Sequence, residues 1–363
     1  MPPMTKAQLR ELFMVRPHIP RLSDPTDTLP IIKVSDMDLS DASIDSHSYS
    51  TIGYGEPMEK TLAHTLLNTT ATTHEIDKML AKSNTIINNR YQILSPIGIG
   101  GASEVYLSQR LLIGDKIALK LLRYSFSTDP ETARRFHLEA LTTATIKHPN
   151  VITIHDFDFT DTGTPYIVME LLHGRTLQGE QHKCGRFTFS QAIPLILPIC
   201  SALNVAHRQG IVHRDVKPAN IVIHHTEDGS VVIKLIDFGI AKQFFEPTID
   251  LKTLPGTVMG TPAYMAPERC MEEPCDGRAD IYSLGLILYE MLTGRHPFQA
   301  KTMVAMMSRQ ISENPPALRA FVPELPAVVE RVVLKALAKS PNDRYLTALE
   351  FADALHNACY AHY

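Results

Sequence analysis

No charge of one sign dominates this sequence. Over 363 residues, 35 Lys and Arg stand against 39 Asp and Glu, a net of −4, with no long run of like charge. A duplex nucleic-acid binder or a membrane-surface protein usually shows a basic excess or cluster, so neither partner is expected. Cysteine is scarce too: five scattered residues form no disulfide framework and point to a reducing interior. Cys270 and Cys275 are close, but no second pair completes a zinc site, and they read as ordinary thiols. Long apolar runs are also missing. "AIPLILPIC" and "IYSLGLILYEML" fall short of the roughly 20 residues of a membrane span. The opening "MPPMTKAQLRELFMVRPHIPR" has no signal-peptide core, and "NACYAHY" carries no lipidation box. The expectation is a soluble, cytoplasmic protein with no membrane span; secretion into a host cell as an effector stays open.

What the sequence does contain changes at about residue 90. Residues 1–89 are rich in Ser, Thr, Asp and Pro, with few apolar residues at a regular period. Such a segment buries too little surface to offset chain entropy, and it reads as a largely disordered extension. Two patches, "TKAQLRELFMV" and "EKTLAHTLLNTTATTHEIDKML", have helical spacing and could brace the neighbouring domain or dock a partner. From Tyr91, "YQILSPIG", "SEVYLSQRLL" and "DKIALKLL" predict three strands broken by Gly-rich or Gly-Asp turns. A helix follows in "DPETARRFHLEALTTATIK", opened by an Asp cap and a first-turn Pro. "VITIHDFDF" and "YIVMELL" are strand-like. After Phe189 the pattern is mostly helical, interrupted by the short strands "NIVIH" and "VVIKLID". A strand-rich part before a helix-rich part predicts two lobes, and ligands usually bind in clefts of that kind.

Three stretches carry chemistry. In "IGIGGASEV", glycines between two strands would let backbone N–H groups approach phosphates, although a Gly cluster can equally be a plain hairpin turn. No Gly-Lys-Ser/Thr follows it, and a strand rather than a helix comes next, so it is neither a Walker A loop nor a dinucleotide fingerprint. Lys120 in "IALKLL" is costly in an apolar strand unless paired; Glu139 on the following helix could pair with it, or Lys120 could sit on an edge. In "VHRDVKPANIVI", Asp215 could accept a hydroxyl proton, and Lys217 could neutralise a transferring phosphoryl group. Asn220 and Asp237, the latter in "LIDFGIAK", could supply oxygens to Mg²⁺. Phosphoryl transfer needs mainly positioning and charge stabilisation, which these residue types provide.

The ordered set "GIGGASEV", Lys120, Glu139, "HRDVKPAN", "DFG", "GTPAYMAPE" and "NDRY" resembles the protein-kinase superfamily, and within it the eukaryotic-like (Hanks-type) serine/threonine kinases of bacteria. The resemblance implies an α+β, bilobal protein-kinase fold over residues 90–358, with a β-rich N-lobe holding one main helix (90–172) and a mostly α-helical C-lobe (173–358). It implies ATP with Mg²⁺, or alternatively Mn²⁺, and protein substrates with Ser or Thr acceptors. Ile97, Gly98, Gly100, Gly101 and Ser103 would then cover the nucleotide. Val105 and Ala118 would sandwich the adenine, with Val222 also against the nucleotide. Lys120 would hold the phosphates and pair with Glu139. Met169 would be the gatekeeper, and Glu170 to Leu172 the hinge. Asp215 would be the base, with Lys217 beside it, and Asn220 and Asp237 the metal ligands.

Arg214 would receive a phosphate from the activation segment, with Thr253 and Thr257 as the acceptors, through a transient homodimer. Glu268 would pair with Arg344, and Asp280 would tether the catalytic loop. His213 would be structural rather than an acid or base. Ser103 replaces the usual third glycine, a small change that such a turn should tolerate. Two rivals remain at this point. A pseudokinase would lack Lys120, Asp215 or Asp237. A small-molecule kinase of related fold would lack "GTPAYMAPE" and Lys217.

Overall fold

The computed structural model describes residues 79–127, 129–239 and 262–360. These form two compact units. One combines the described residues up to Ala133 with His155–Leu171; the other combines Arg134–Ile154 with the described residues from Leu172 onward. Thr253, Thr257 and Thr261, and the patches before residue 79, lie outside the described residues.

The first unit is a six-stranded sheet. Its strands are β1 (Ile86–Ile87), β2 (Tyr91–Ile99), β3 (Ser103–Arg110), β4 (Lys116–Leu122), β5 (Ile154–Phe159) and β6 (Pro165–Met169), in spatial order β1-β2-β3-β4-β6-β5. The pairings of β1 through β4, and of β4 with β6, are antiparallel. Strand β4 is buried at every position after Lys116, so it carries aliphatic residues on both faces, as a central strand must. Gly114 takes φ +85° in the β3–β4 turn, where Arg110 and Asp115 pair across the hairpin. Two bulges in the β2–β3 ladder, after Ile93 and after Pro96, bend β2 just before the glycines. The sheet core joins Tyr91, Ile93, Tyr106, Ile117, Leu119, Leu121, Tyr166 and Val168 with Met79.

Met79 is a departure from the expected 89/90 boundary. It is fully buried, β1 pairs with β2, and Asn88 Nδ2 donates to Phe159 O at 2.8 Å. The folded unit therefore reaches back to at least Met79. The signal was too short to read: two strand residues flanked by polar ones show no period.

A one-turn helix α1 (Tyr124–Ser127) leads into α2 (Pro130–Thr145), which Asp129 caps through Thr132 N. The second unit carries a three-stranded sheet of β7 (Gly174–Thr176), β8 (Ile221–His225) and β9 (Val231–Leu235). Its helices are α3 (Leu177–Cys184), α4 (Phe189–Arg208), α5 (Pro267–Cys270), α6 (Arg278–Thr293), α7 (Met303–Ser312), α8 (Ala327–Ala336) and α9 (Ala348–Tyr360). Helix α4 opens with a capping box, Thr188 and Gln191 each bonding the other's backbone. It runs on through Pro194 and Pro198, each of which removes one backbone donor from the helix. At 20 residues α4 is long and apolar enough to cross a membrane by length and composition, although its most apolar window is 67% buried within the protein. Of the two apolar runs considered above, only "AIPLILPIC" lies in this helix, and it covers less than half of its length. Helix α6 is buried over nearly its whole length and stops at Gly294, which is left-handed.

Candidate active site

In the first unit, the turn between β2 and β3 closes with Gly100 N donating to Ser103 O at 2.8 Å. A Cβ at Gly98 or Gly100 would make only ordinary contacts, and one at Gly101 would meet nothing within 4 Å. The chain's own packing therefore does not demand these glycines, whereas close approach of a phosphate to the backbone would. Ile97 and Gly98 lie half-buried on β2. Val105, half-buried on β3, is in register with Gly98 on one side and Lys120 on the other. Ala118 is in register with Met169, and Lys120, 7% exposed, with Ile167. Glu170 and Leu172 follow β6, both half-buried. Glu139 lies half-buried in the part of α2 that belongs to the second unit.

In the second unit, the segment from His213 to Gly239 organises around Asp215. Lys217 Nζ donates to Asp215 Oδ2 at 2.8 Å. Asn220 Nδ2 donates to Asp215 O at 2.9 Å and to its Oδ2 at 3.2 Å. With its amide hydrogens committed to Asp215, Asn220 has its Oδ1 to offer a cation, as the chemistry of a hard divalent ion requires. Asn220 O accepts from Ile236 N at 2.9 Å, tying it to the residue before Asp237. Asp237 and Arg214 both take left-handed backbone, φ +54° and +65°, which costs a non-glycine residue energy and turns up where a site over-determines the backbone. Val222, on β8 beyond Asn220, is buried.

Gly239 is required by close approach. A Cβ there would come within 2.7 Å of the Asp215 Cβ, while Gly239 N donates to His213 O at 2.9 Å. His213 is fully buried against Phe238, ring centroids 4.4 Å apart. Its Nε2 donates to Ile236 O at 3.2 Å, and its Nδ1 accepts from Asp215 N at 3.2 Å. That pairing fixes the neutral Nε2–H tautomer, and burial pushes the imidazole below its usual range. His213 is a strut, not a base.

Asp280, 1% exposed on α6, accepts from His213 N at 2.8 Å, Arg214 N at 2.9 Å and His207 Nε2 at 2.7 Å. Burial alone would raise this carboxyl; the His207 hydrogen bond and charge, with His213, bring it below the usual range. His207, on the last turn of α4, has no motif to announce it. Gly277 leaves room for its ring, since a Cβ there would approach within 2.4 Å of Nδ1. Arg269 donates to Arg214 O, a second contact no motif spelled out. Glu268 and Arg344 form the expected pair, bidentate at 2.8 and 2.7 Å and almost fully buried.

Because the Asp280 carboxyl is depressed in the folded state, its stabilisation is present above the unfolded value of about 3.9 and is lost as pH falls through the folded value. Asp280→Asn is therefore expected to melt with a shallower dependence on pH below about 4 than the parent. Parallel melting-temperature slopes from thermal scans across that range would contradict it.

The protein kinase domain model matches residues 91–356. The chain belongs to the protein kinase family. Among curated relatives, the probable serine/threonine-protein kinase CE0033 of Corynebacterium efficiens is 39% identical over 74% of this chain and 41% of its own length. The serine/threonine-protein kinase PknB of Mycobacterium tuberculosis is 40% identical over 73% of this chain and 42% of its own. The chain thus spans about two fifths of the length of these curated relatives. The crystal structure of the Mycobacterium tuberculosis PknI kinase domain superposes with a TM-score of 0.59 at 29% identity, covering 76% of this chain and 98% of that one. The six-stranded sheet thus belongs to the N-lobe of a kinase domain, and helices α3 to α9 to its helical C-lobe. The family match begins at residue 91, after β1 and after the segment that contains the buried Met79.

Proposed function

We propose that this kinase domain transfers the γ-phosphate of ATP to serine or threonine hydroxyls of protein substrates. The observation that carries the reading is the Asp215 carboxylate, gripped by Lys217 and Asn220 and seated on a loop that Asp280 holds at two consecutive backbone N–H groups. Its support is the ordered motif set and the relatives named as serine/threonine kinases. Asp215 takes the proton as the acceptor oxygen bonds to phosphorus and the bond to the β-phosphate oxygen breaks, releasing ADP. Lys217 keeps the carboxylate pointed at the acceptor and offsets charge on the moving group. Asn220 and Asp237 would hold Mg²⁺ or Mn²⁺, which when bound neutralises charge on the phosphates. Lys120, with Glu139 as its partner, would hold the α- and β-phosphates. Ile97, Gly98, Gly100, Gly101, Ser103, Val105, Ala118, Met169, Glu170, Leu172 and Val222 would form the rest of the nucleotide site.

The domain begins at about residue 90 by its motifs, with residues 79–89 as a structural lead-in. Regulation would come from autophosphorylation at Thr253 or Thr257 within a transient homodimer, with Arg214 receiving the phosphate. A cytoplasmic location fits this reading.

Incubation of the full chain with ATP and Mg²⁺ and a generic protein substrate is expected to yield phosphoserine and phosphothreonine. Phosphotyrosine as the main product would overturn the acceptor class. Absence of transfer from an ATP-binding chain would instead favour the pseudokinase.

A further inference from the structure

One residue past the glycine-rich turn, Glu104 is 7% exposed within the N-lobe. Its Oε2 accepts from Lys82 Nζ at 2.6 Å and from Tyr106 OH at 2.7 Å, and its Oε1 lies 3.6 Å from Arg123 Nε. Arg123 in turn holds the turn itself: its backbone N donates to Ala102 O at 2.8 Å, and its Nη1 to Gly101 O at 3.4 Å. The chain of contacts therefore runs from Lys82 through Glu104 and Arg123 to the two residues at the crest of the turn.

Lys82 comes from outside the region the kinase family shares, yet its backbone is fixed. Met79 is fully buried, Asn84 N donates to Ile93 O at 2.8 Å, and Ile93 N donates to Thr85 O at 2.9 Å. The Lys82 ammonium also lies 5.8 Å over the Tyr106 ring, so its stem and head are both engaged. Burial alone would raise the Glu104 carboxyl, and the bonds from Lys82 and Tyr106 bring it below the usual range, so it is a charged group that needs its cations. Without Lys82, Glu104 would draw on the Arg123 guanidinium already beside it, and Arg123 would leave the Gly101 carbonyl.

We propose that Lys82 is a positioning residue for nucleotide binding, acting through Glu104 and Arg123 on the glycine-rich turn and so coupling the segment ahead of β1 to ATP affinity. This rests on the kinase reading in one respect, that the turn contacts the nucleotide.

The test uses the full chain as wild type, Lys82→Met and Lys82→Arg. Two quantities are measured: the ATP KM and kcat with a generic protein substrate, and the Kd for a fluorescent N-methylanthraniloyl ADP with Mg²⁺. Lys82→Met is expected to raise both KM and Kd by about threefold to tenfold while kcat stays within about twofold, and Lys82→Arg to restore both. Glu104→Gln, which keeps the shape and removes the charge, is expected to shift Kd in the same direction and serves if Lys82→Met folds poorly. Unchanged KM and Kd in these variants, whatever happens to their melting temperatures, would mean a purely structural role and overturn the proposal. So would a fall in kcat with KM unmoved. A wild-type chain that binds the ADP probe but phosphorylates nothing would sink the kinase reading while leaving the binding comparison intact.

Discussion

Asp215→Asn is expected to keep the fold and lower turnover by about 10²- to 10⁴-fold, the range attached to a general base. The substitution preserves shape. The carboxamide oxygen of the variant could still accept from Lys217, and the backbone carbonyl at that position would still accept from Asn220. What disappears is the capacity to take a proton and one negative charge near the reacting atoms. Lys120→Met should act on the same reaction from the N-lobe, and the two together should cost far less than the product of the single losses, because parts of one apparatus are not additive. The measurement is kcat on a generic substrate beside a thermal melt of each protein. A melt like the parent's with turnover within about tenfold of it would remove Asp215 from the role of base.

Arg344→Met is expected to destabilise the C-lobe by about 3–5 kcal/mol, a large share of the roughly 5–15 kcal/mol that usually holds a domain together. All five guanidinium N–H groups of Arg344 are committed: two to Glu268, and one each to the carbonyls of Ala338, Arg278 and Lys339. Its Cζ also lies 4.8 Å from the Tyr282 ring centroid. Removing it strands a buried carboxylate and three carbonyls at once. Arg344→Lys should recover little, since an ammonium cannot reproduce the planar fork. Adding Glu268→Gln to Arg344→Met should restore part of the loss, because the neutral amide no longer needs a cation. Denaturant midpoints with an unchanged m-value read the effect. A loss below about 1 kcal/mol for Arg344→Met would show the pair to be no more than a surface bridge in strength.

The segment around Asp215 was legible because its residues follow the protein-kinase motif in order, and the structure gathers Asp215, Lys217 and Asn220 into one hydrogen-bonded group. The strands β2 to β4 and helices α4 and α6 were legible by period. Elements without a period were not. Strand β7 is three residues, α3 is mostly polar, and β1 is two residues whose pairing depends on Tyr91 and Gln92. Contacts between distant residues were hidden for another reason. Nothing local to His207 says that Asp280 will meet it, and nothing local to Lys82 says that Glu104 will. Met79 lies ahead of residue 90 without any local pattern to mark it, buried in one cluster with residues of β2, β3, β4 and β6.

Helix α4 has a consequence for how the protein is made. Its apolar surface is covered in the finished C-lobe largely by α6 and α9. Helix α9 emerges from the ribosome about 140 residues after α4 ends, a delay of roughly 7–30 s at ordinary synthesis rates. Until α6 and then α9 have been made, a 20-residue segment with membrane-like hydropathy is synthesised without the helices that cover it. The prolines at 194 and 198 weaken the isolated helix during the same wait. The order in which these helices leave the tunnel therefore decides how long the apolar surface of α4 stays uncovered during synthesis.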